Sequence, residues 1–230
     1  MRRPVKSNAA PSRLNSLQVT TRRLRRVISL GIVCWAATLC AGEPIPLFDG
    51  RSFTGWEGDK EKTWRIEEGA IVGGSLETQV PRNEFITSTR RFTNFVLTLR
   101  FRLRGTEGFV NGGVQIRSER TRQPPNEMSG YQADIGEGWW GALYDESRRN
   151  KVLIKPDPAS VEKAVRKGDW NTYVIRCEGR RIQTWINDVP MIDYTEPDES
   201  LPQHGLIGFQ VHGGGKTEIA YKDITAEHLP

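Results

Sequence analysis

The chain has 230 residues, with 33 Lys and Arg against 28 Asp and Glu and a net charge of +5. The excess sits entirely in residues 1–42, which hold eight basic side chains and no acidic one; residues 43–230 keep 25 basic and 28 acidic groups, a net of −3. A mildly acidic body without a basic stripe argues against nucleic-acid binding.

Residues 1–42 read as a leader. Arg22, Arg23, Arg25 and Arg26 precede the largely apolar Val27–Leu39 stretch, and the small residues Cys40-Ala41-Gly42 lead into Glu43-Pro44. Basic, apolar and small-residue zones in that order make a secretory signal. Thirteen residues at 1.5 Å rise cover about 20 Å, short of the roughly 30 Å hydrocarbon core, so removal is favoured over retention as an anchor. Membrane contact is therefore expected only through an uncleaved leader, and the body is expected in the periplasm or outside the cell. Cys34 and Cys40 leave with the leader. Cys177 then remains alone, in the alternating Tyr173–Cys177 run, and reads as a small buried hydrophobe. No intrachain disulfide is available, so the fold must rest on its core.

Period-2 alternation dominates the body. Short strands are expected at Trp64–Glu67 and Ala70–Gly73. A long one follows, in which Phe95, Leu97, Leu99, Phe101 and Leu103 oppose Thr98, Arg100, Arg102 and Arg104. Further strands are expected at Gly113–Ser118, Gly130–Ile135, Lys151–Ile154, Tyr173–Cys177, Ile182–Ile186, Leu206–His212 and Thr217–Ala226. One short helix is expected around Ser160–Lys167. Glu68-Gly69, Gly179-Arg180 and Asn187-Asp188 supply tight-turn chemistry. The pattern is all-β: a sandwich forming one domain over residues 43–230. Its longest irregular stretches, Glu119–Ser129 and Glu137–Asn150, are candidates for function.

Three strands each carry an i, i+2 polar pair: Gln115 with Arg117, Gln132 with Asp134, and Gln210 with His212. If they are neighbours, six polar side chains share one patch; the plainer alternative is a solvated sheet face. The loop after Asp134 adds Trp139-Trp140, Tyr144, Asp145, Glu146 and Arg148. At least one of the adjacent tryptophans is expected at the surface, where it can stack on a sugar ring. For Arg148 the alternative is a carboxylate pair that pins the loop. His204, His212 and His228 are too scattered for zinc, and no metal site is expected, although calcium leaves no strict signature and a structural ion stays open. No phosphate-binding loop or GxSxG motif is present, and no cofactor is expected. Gln132-Ala133-Asp134-Ile135-Gly136-Glu137 looks like the Glu-x-Asp-x-x-Glu strand of laminarinase-like glycoside hydrolases. Here an amide stands where retaining hydrolysis needs a nucleophile.

Several strings together resemble the 3-keto-disaccharide hydrolase domain family over about residues 45–229. They are Leu47-Phe48-Asp49-Gly50 through Gly55-Trp56, Gly69–Gly73, Asn111–Arg117, Gly130–Gly136, Tyr144–Arg148 and Gly205–Gly215. The resemblance implies a concanavalin A-like jelly-roll β-sandwich of two antiparallel sheets. It also implies an exported protein acting on 3-keto-glycosides as lyase, hydratase or net hydrolase, with a small carbohydrate as its partner. A ketone at C3 acidifies the C2 hydrogen, so a base can start a β-elimination of the C1 substituent with no carboxylate nucleophile. His212 or Asp134 is expected as base, Glu146 as acid, and Arg117 with Arg148 as enolate stabilisers. Gln115, Gln132, Trp139, Trp140, Tyr144 and Gln210 are expected to hold the sugar. For His212 the alternative is a hydrogen-bonded structural histidine. For the whole chain the alternative is a non-catalytic, lectin-like carbohydrate-binding module.

Overall fold

The alternating run from Phe95 becomes a 14-residue strand whose apolar members turn inward: Phe95, Leu97, Leu99 and Phe101 are fully buried. The computed structural model describes residues 42–230, so the leader expected at residues 1–42 lies outside the described residues apart from Gly42. In chain order the strands are β1 Ile45–Pro46, β2 Trp56–Glu57, β3 Trp64–Glu67, β4 Ala70–Gly74, β5 Glu84–Phe92, β6 Phe95–Gly108, β7 Asn111–Arg120 and β8 Met128–Gly136. They continue with β9 Leu143–Glu146, β10 Lys151–Ile154, the helix α1 Pro158–Ala164, β11 Asn171–Glu178, β12 Arg181–Ile186, β13 Val189–Thr195, β14 Gly205–Val211 and β15 Gly215–His228.

Two antiparallel sheets result. One runs β13-β12-β11-β6-β15-β4-β3, with β1 on β15; the other runs β10-β9-β8-β7-β14-β5-β2. Leu99, Phe101, Tyr173 and Ile175 of the first sheet and Val114, Ile116, Ile135 and Phe209 of the second are all fully buried in one core. A stack of rings bridges the sheets: Trp56 lies 4.9 Å from Phe209, and Phe209 lies 4.3 Å from Tyr221 on β15. The all-β sandwich is the observed class. Cys177 is buried and free, and burial pushes its thiol up to about 12.

The turns follow their chemistry. Glu68-Gly69 and Asn187-Asp188 have positive φ at both central residues, the geometry that a tight hairpin of right-twisted strands requires. The helix begins two residues earlier than its pattern predicts. The Asp157 carboxylate accepts the Ala159 N–H at 2.9 Å, and Pro158 sits at the first helical position, where its missing N–H costs nothing.

Five strands escape the alternation rule. β5 is buried on both faces from Glu84 to Ser88, so polar and apolar residues do not alternate. β9 lies inside the stretch expected to be irregular, disguised because the inward Asp145 is paired with Arg148 and Arg149. β13 carries Pro190, which is tolerated because β13 is an edge strand. β1 and β2 have only two residues each.

Arg117 departs from its expected role. The β7 register shifts between Ile116 and Glu119, and Arg117 itself takes φ +49°, so its side chain leaves the face shared by its strand neighbours. It donates to the carbonyls of Thr93 (2.7 Å) and Gly179 (2.6 Å), to Gln203 (2.9 Å) and to Asn94 (3.3 Å). The buried guanidinium thus fastens the β7 strand to the β5–β6 and β11–β12 turns. Replacing Arg117 by Ala should lower unfolding stability by about 3 kcal/mol, because a buried side chain and its four hydrogen bonds to the surrounding turns are lost together. Urea denaturation measures that loss.

Candidate functional site

β8, β7 and β14 are consecutive in their sheet, and their register sets Gln132 beside Gln115 and Asp134 and Gln210 on either side of Gly113. Gln115 and Gln210 are fully buried, and Gln132 and Asp134 are only 2 % and 3 % exposed. A solvated sheet face is thereby excluded. Burial forces these polar groups to satisfy one another, and they do so in one direction. The Ser118 hydroxyl donates to Gln115 Oε1 (2.6 Å), and Gln115 Nε2 donates to Gln132 Oε1 (2.7 Å). Gln132 Nε2 then donates to both Asp134 Oδ1 (2.8 Å) and Gln210 Oε1 (3.1 Å), and Gln210 Nε2 donates to Glu146 Oε2 (3.3 Å). Gly113 makes room for this chain: a Cβ there would meet Gln132 Cδ at 2.7 Å.

The chain forms the floor of a cavity of about 200 Å3. Asn111, Gln132, Asp134 and Glu146 line its polar side; Trp139, Tyr144, Phe109 and His212 supply aromatic walls. Trp139 meets Tyr144 edge-on at 5.9 Å, and Phe109 meets His212 edge-on at 4.6 Å. Two buried side chains in this lining lack partners. Asp134 Oδ2 has none, and neither Nδ2 nor Oδ1 of Asn111, itself 2 % exposed, has one. Buried groups without partners are costly, so a set of them facing one cavity marks a place for a polar ligand.

Electrostatics sharpen the picture. Burial pushes the Asp134 carboxyl up to about 8, helped by the charge of Glu146 and opposed by the Gln132 hydrogen bond and Lys155. Burial likewise pushes Glu146 up to about 7, with the charge of Glu127 adding to it. Both carboxyls therefore hold or share protons near neutrality. His212 moves the other way: burial lowers it below the usual histidine value. Its Nδ1 lies 2.6 Å from the Gly213 carbonyl, which can only accept, so Nδ1 carries the hydrogen. In the neutral ring Nε2 keeps its lone pair. Among the described residues, no group of three or more His, Cys, Asp or Glu side chains is placed to hold a metal ion.

The profile of the 3-keto-alpha-glucoside-1,2-lyase-like domain matches residues 43–227, essentially all of the described chain. The chain belongs to this family. No curated protein is detectably similar to it. Among solved structures, it is similar to a candidate glycosyl hydrolase of Parabacteroides distasonis at 18 % identity and TM-score 0.60, over 82 % of this chain and 94 % of the other. It is also similar to the carbohydrate-binding module CBM66 of Bacillus subtilis (17 %, 0.58, 75 % and 95 %). A third likeness is to a legume lectin-like domain of Entamoeba histolytica (13 %, 0.51, 77 % and 91 %). These likenesses place the lyase-like domain among the lectin-type sandwiches.

Within the lyase-like domain, His212, Asp134, Glu146, Gln132, Tyr144 and Trp139 converge on one cavity, and Gln115 and Gln210 lie beneath it as supports. Three of the expected residues, Arg117, Arg148 and Trp140, do not line this cavity. Arg117 is spent on the turn clamp described above. Arg148 donates to Asp145 at 2.9 Å and lies 4.4 Å over the Tyr131 ring, on the opposite face from Glu146, so it pins the loop instead of serving the enolate. Trp140 is 7 % exposed and stacks on Phe101 in the core, leaving Trp139 to the cavity. Asn111, Phe109 and Lys155 were not foreseen. Asn111 was within reach of the pattern, since it precedes Gly113 and Gln115 at the same parity along β7.

The raised carboxyls make the fold sensitive to alkali. Folded Asp134 keeps a proton that the unfolded chain releases near its ordinary value of 3.8, so this stabilisation is complete below about pH 4 and is lost as pH rises towards 8. Asp134→Asn removes the titration. Between pH 5 and 8, at 1.36 kcal/mol per unit, the variant should gain up to about 4 kcal/mol relative to wild type. Urea unfolding at pH 5, 7 and 9 checks the widening gap.

Proposed function

We propose that the protein is an exported enzyme that cleaves 3-keto-glycosides by eliminating the C1 substituent, with water addition to the resulting enone completing a net hydrolysis. The observation that carries this reading is a single cavity holding a basic ring nitrogen, His212 Nε2, together with two carboxyls that retain protons near neutrality. Family membership supports it, as does the amide at Gln132, which elimination accommodates and a nucleophilic glycosidase does not. The signal-like leader supports export.

His212 Nε2 takes the C2 proton, and the C2–H electron pair moves towards the C3 ketone to form an enolate. Asp134 Oδ2–H and Asn111 Nδ2–H donate to that oxygen; both are buried groups with no other partner. Collapse of the enolate breaks the C1–O bond, and Glu146 passes its proton to the departing oxygen. The Glu146 carboxylate then takes a proton from water as its oxygen bonds C1, and the His212 imidazolium returns a proton to C2. Each group ends as it began. Tyr144 and Trp139 supply ring faces for the sugar.

The aromatic wall of Trp139 and Tyr144 also suits a non-catalytic carbohydrate-binding module, the second reading. Such a module needs no matched acid and base. Under the enzymatic reading, kcat/KM for a 3-keto-glucoside should rise as His212 loses its proton below pH 6.5 and fall as Glu146 and Asp134 lose theirs near pH 7 and 8. His212→Ala and Glu146→Gln should each lower kcat by roughly 100- to 10,000-fold, and the latter should move the alkaline limb. Sugar binding without consumption of any 3-keto-glucoside would favour the module. Equal cleavage of unoxidised glycosides would overturn the 3-keto requirement.

A further inference from the structure

We infer that the leaving group is an apolar, ring-bearing alcohol, held in a second cavity that shares Trp139 with the catalytic one. The inference rests on the elimination reading and names the substrate class for it. The second cavity measures about 320 Å3. Its lining is mostly apolar, with Trp139, Trp140, Ala142, Pro156, Pro158 and Val161 beside Gly138 and the charged Glu137 and Lys155. Its base is firm, because Trp140 is stacked on Phe101 and the capped helix α1 presents Pro158 and Val161.

The two charged groups at this cavity, Glu137 and Lys155, each hold a protein partner. The Glu137 carboxylate is 2.6 Å from Lys167 and accepts the Trp140 indole N–H at 3.4 Å. Lys155 donates to the Gly138 carbonyl at 3.0 Å and sits 4.8 Å over the Trp139 ring. Six of the nine lining residues are apolar, so most hydroxyls of a second sugar would lose water against indole, proline and valine surface with nothing to replace it. An aromatic or cycloalkyl group gives up nothing polar and buries its surface against indole and proline rings. Continuity with the catalytic cavity comes from Trp139, which lines both, and from Lys155, whose charge acts on Asp134.

The test compares the 3-keto forms of 2-phenylethyl glucoside and methyl glucoside on the mature protein. Both release simple alkanols, so the chemical step is matched and KM reports the cavity. KM should be at least tenfold lower for the phenylethyl substrate, and a 3-keto glucose–glucose disaccharide should resemble the methyl one. Val161→Asp should erase the phenylethyl advantage; Val161→Ser, with circular dichroism as a fold check, serves if Asp is not tolerated. Tryptophan fluorescence of the wild type titrated with 2-phenylethanol reads the cavity without turnover. A phenylethanol response with no 3-keto-glycoside consumed would sink the elimination reading while leaving an apolar-ring site in place. Turnover with equal KM values and no fluorescence response would overturn the cavity assignment. A KM advantage for the disaccharide would assign the cavity to a second sugar, and dimerisation blocked by Val161→Asp would assign it to a second copy of the chain; either overturns the inference.

Discussion

Three amide side chains run in one direction beneath the cavity, from Ser118 through Gln115, Gln132 and Gln210 to two carboxyl groups. The direction follows from the ends. Asp134 and Glu146 accept from the chain, so each amide must turn its nitrogen towards them and its oxygen away. Reversing any one amide would set two acceptors or two donors face to face in a place without water. The chain therefore works as a rigid spacer. It occupies Asp134 Oδ1 and leaves Oδ2 without a protein partner. The backbone below is held as well: the Tyr221 hydroxyl lies 3.0 Å from the carbonyls of both Gly113 and Gln210.

Such a site opposes folding. Burying two carboxyls and leaving Asn111 without partners costs free energy that the rest of the domain must offset. The offset lies in the sandwich core, above all in the ring stack Trp56–Phe209–Tyr221, which ends directly under the site strands. Site and core thus occupy opposite faces of the same β14 segment, with Phe209 turned inward and Gln210 turned to the amide chain beneath the cavity.

The sequence disclosed most where one face of a strand was exposed. The β6 run is legible because arginines and Thr98 occupy the less buried side between its apolar residues. β5 is illegible for the opposite reason, with both faces buried from Glu84 to Ser88. The polar patch over β7, β8 and β14 was legible as parity, and five of its six members do share a face. Arg117 does not, because a bulge inverts parity locally and period-2 reasoning has no access to φ. The division of Trp139 from Trp140 depended on Phe101, a contact distant in sequence. Asn111 shares the parity of Gly113 and Gln115, but its unpartnered state emerges only from the fold.

Arg117 lies six residues along β7 from Asn111, roughly 20 Å at strand rise. The clamp that secures the sandwich and Asn111, the β7 member of the cavity lining, are thus set well apart on the same strand. Substitutions that far apart, with no shared partners, act nearly independently on stability. A substitution at Asn111 is accordingly expected to leave the Arg117 clamp intact. One end of β7 can thus be altered to change what the cavity presents, while the other end keeps the sheets fastened.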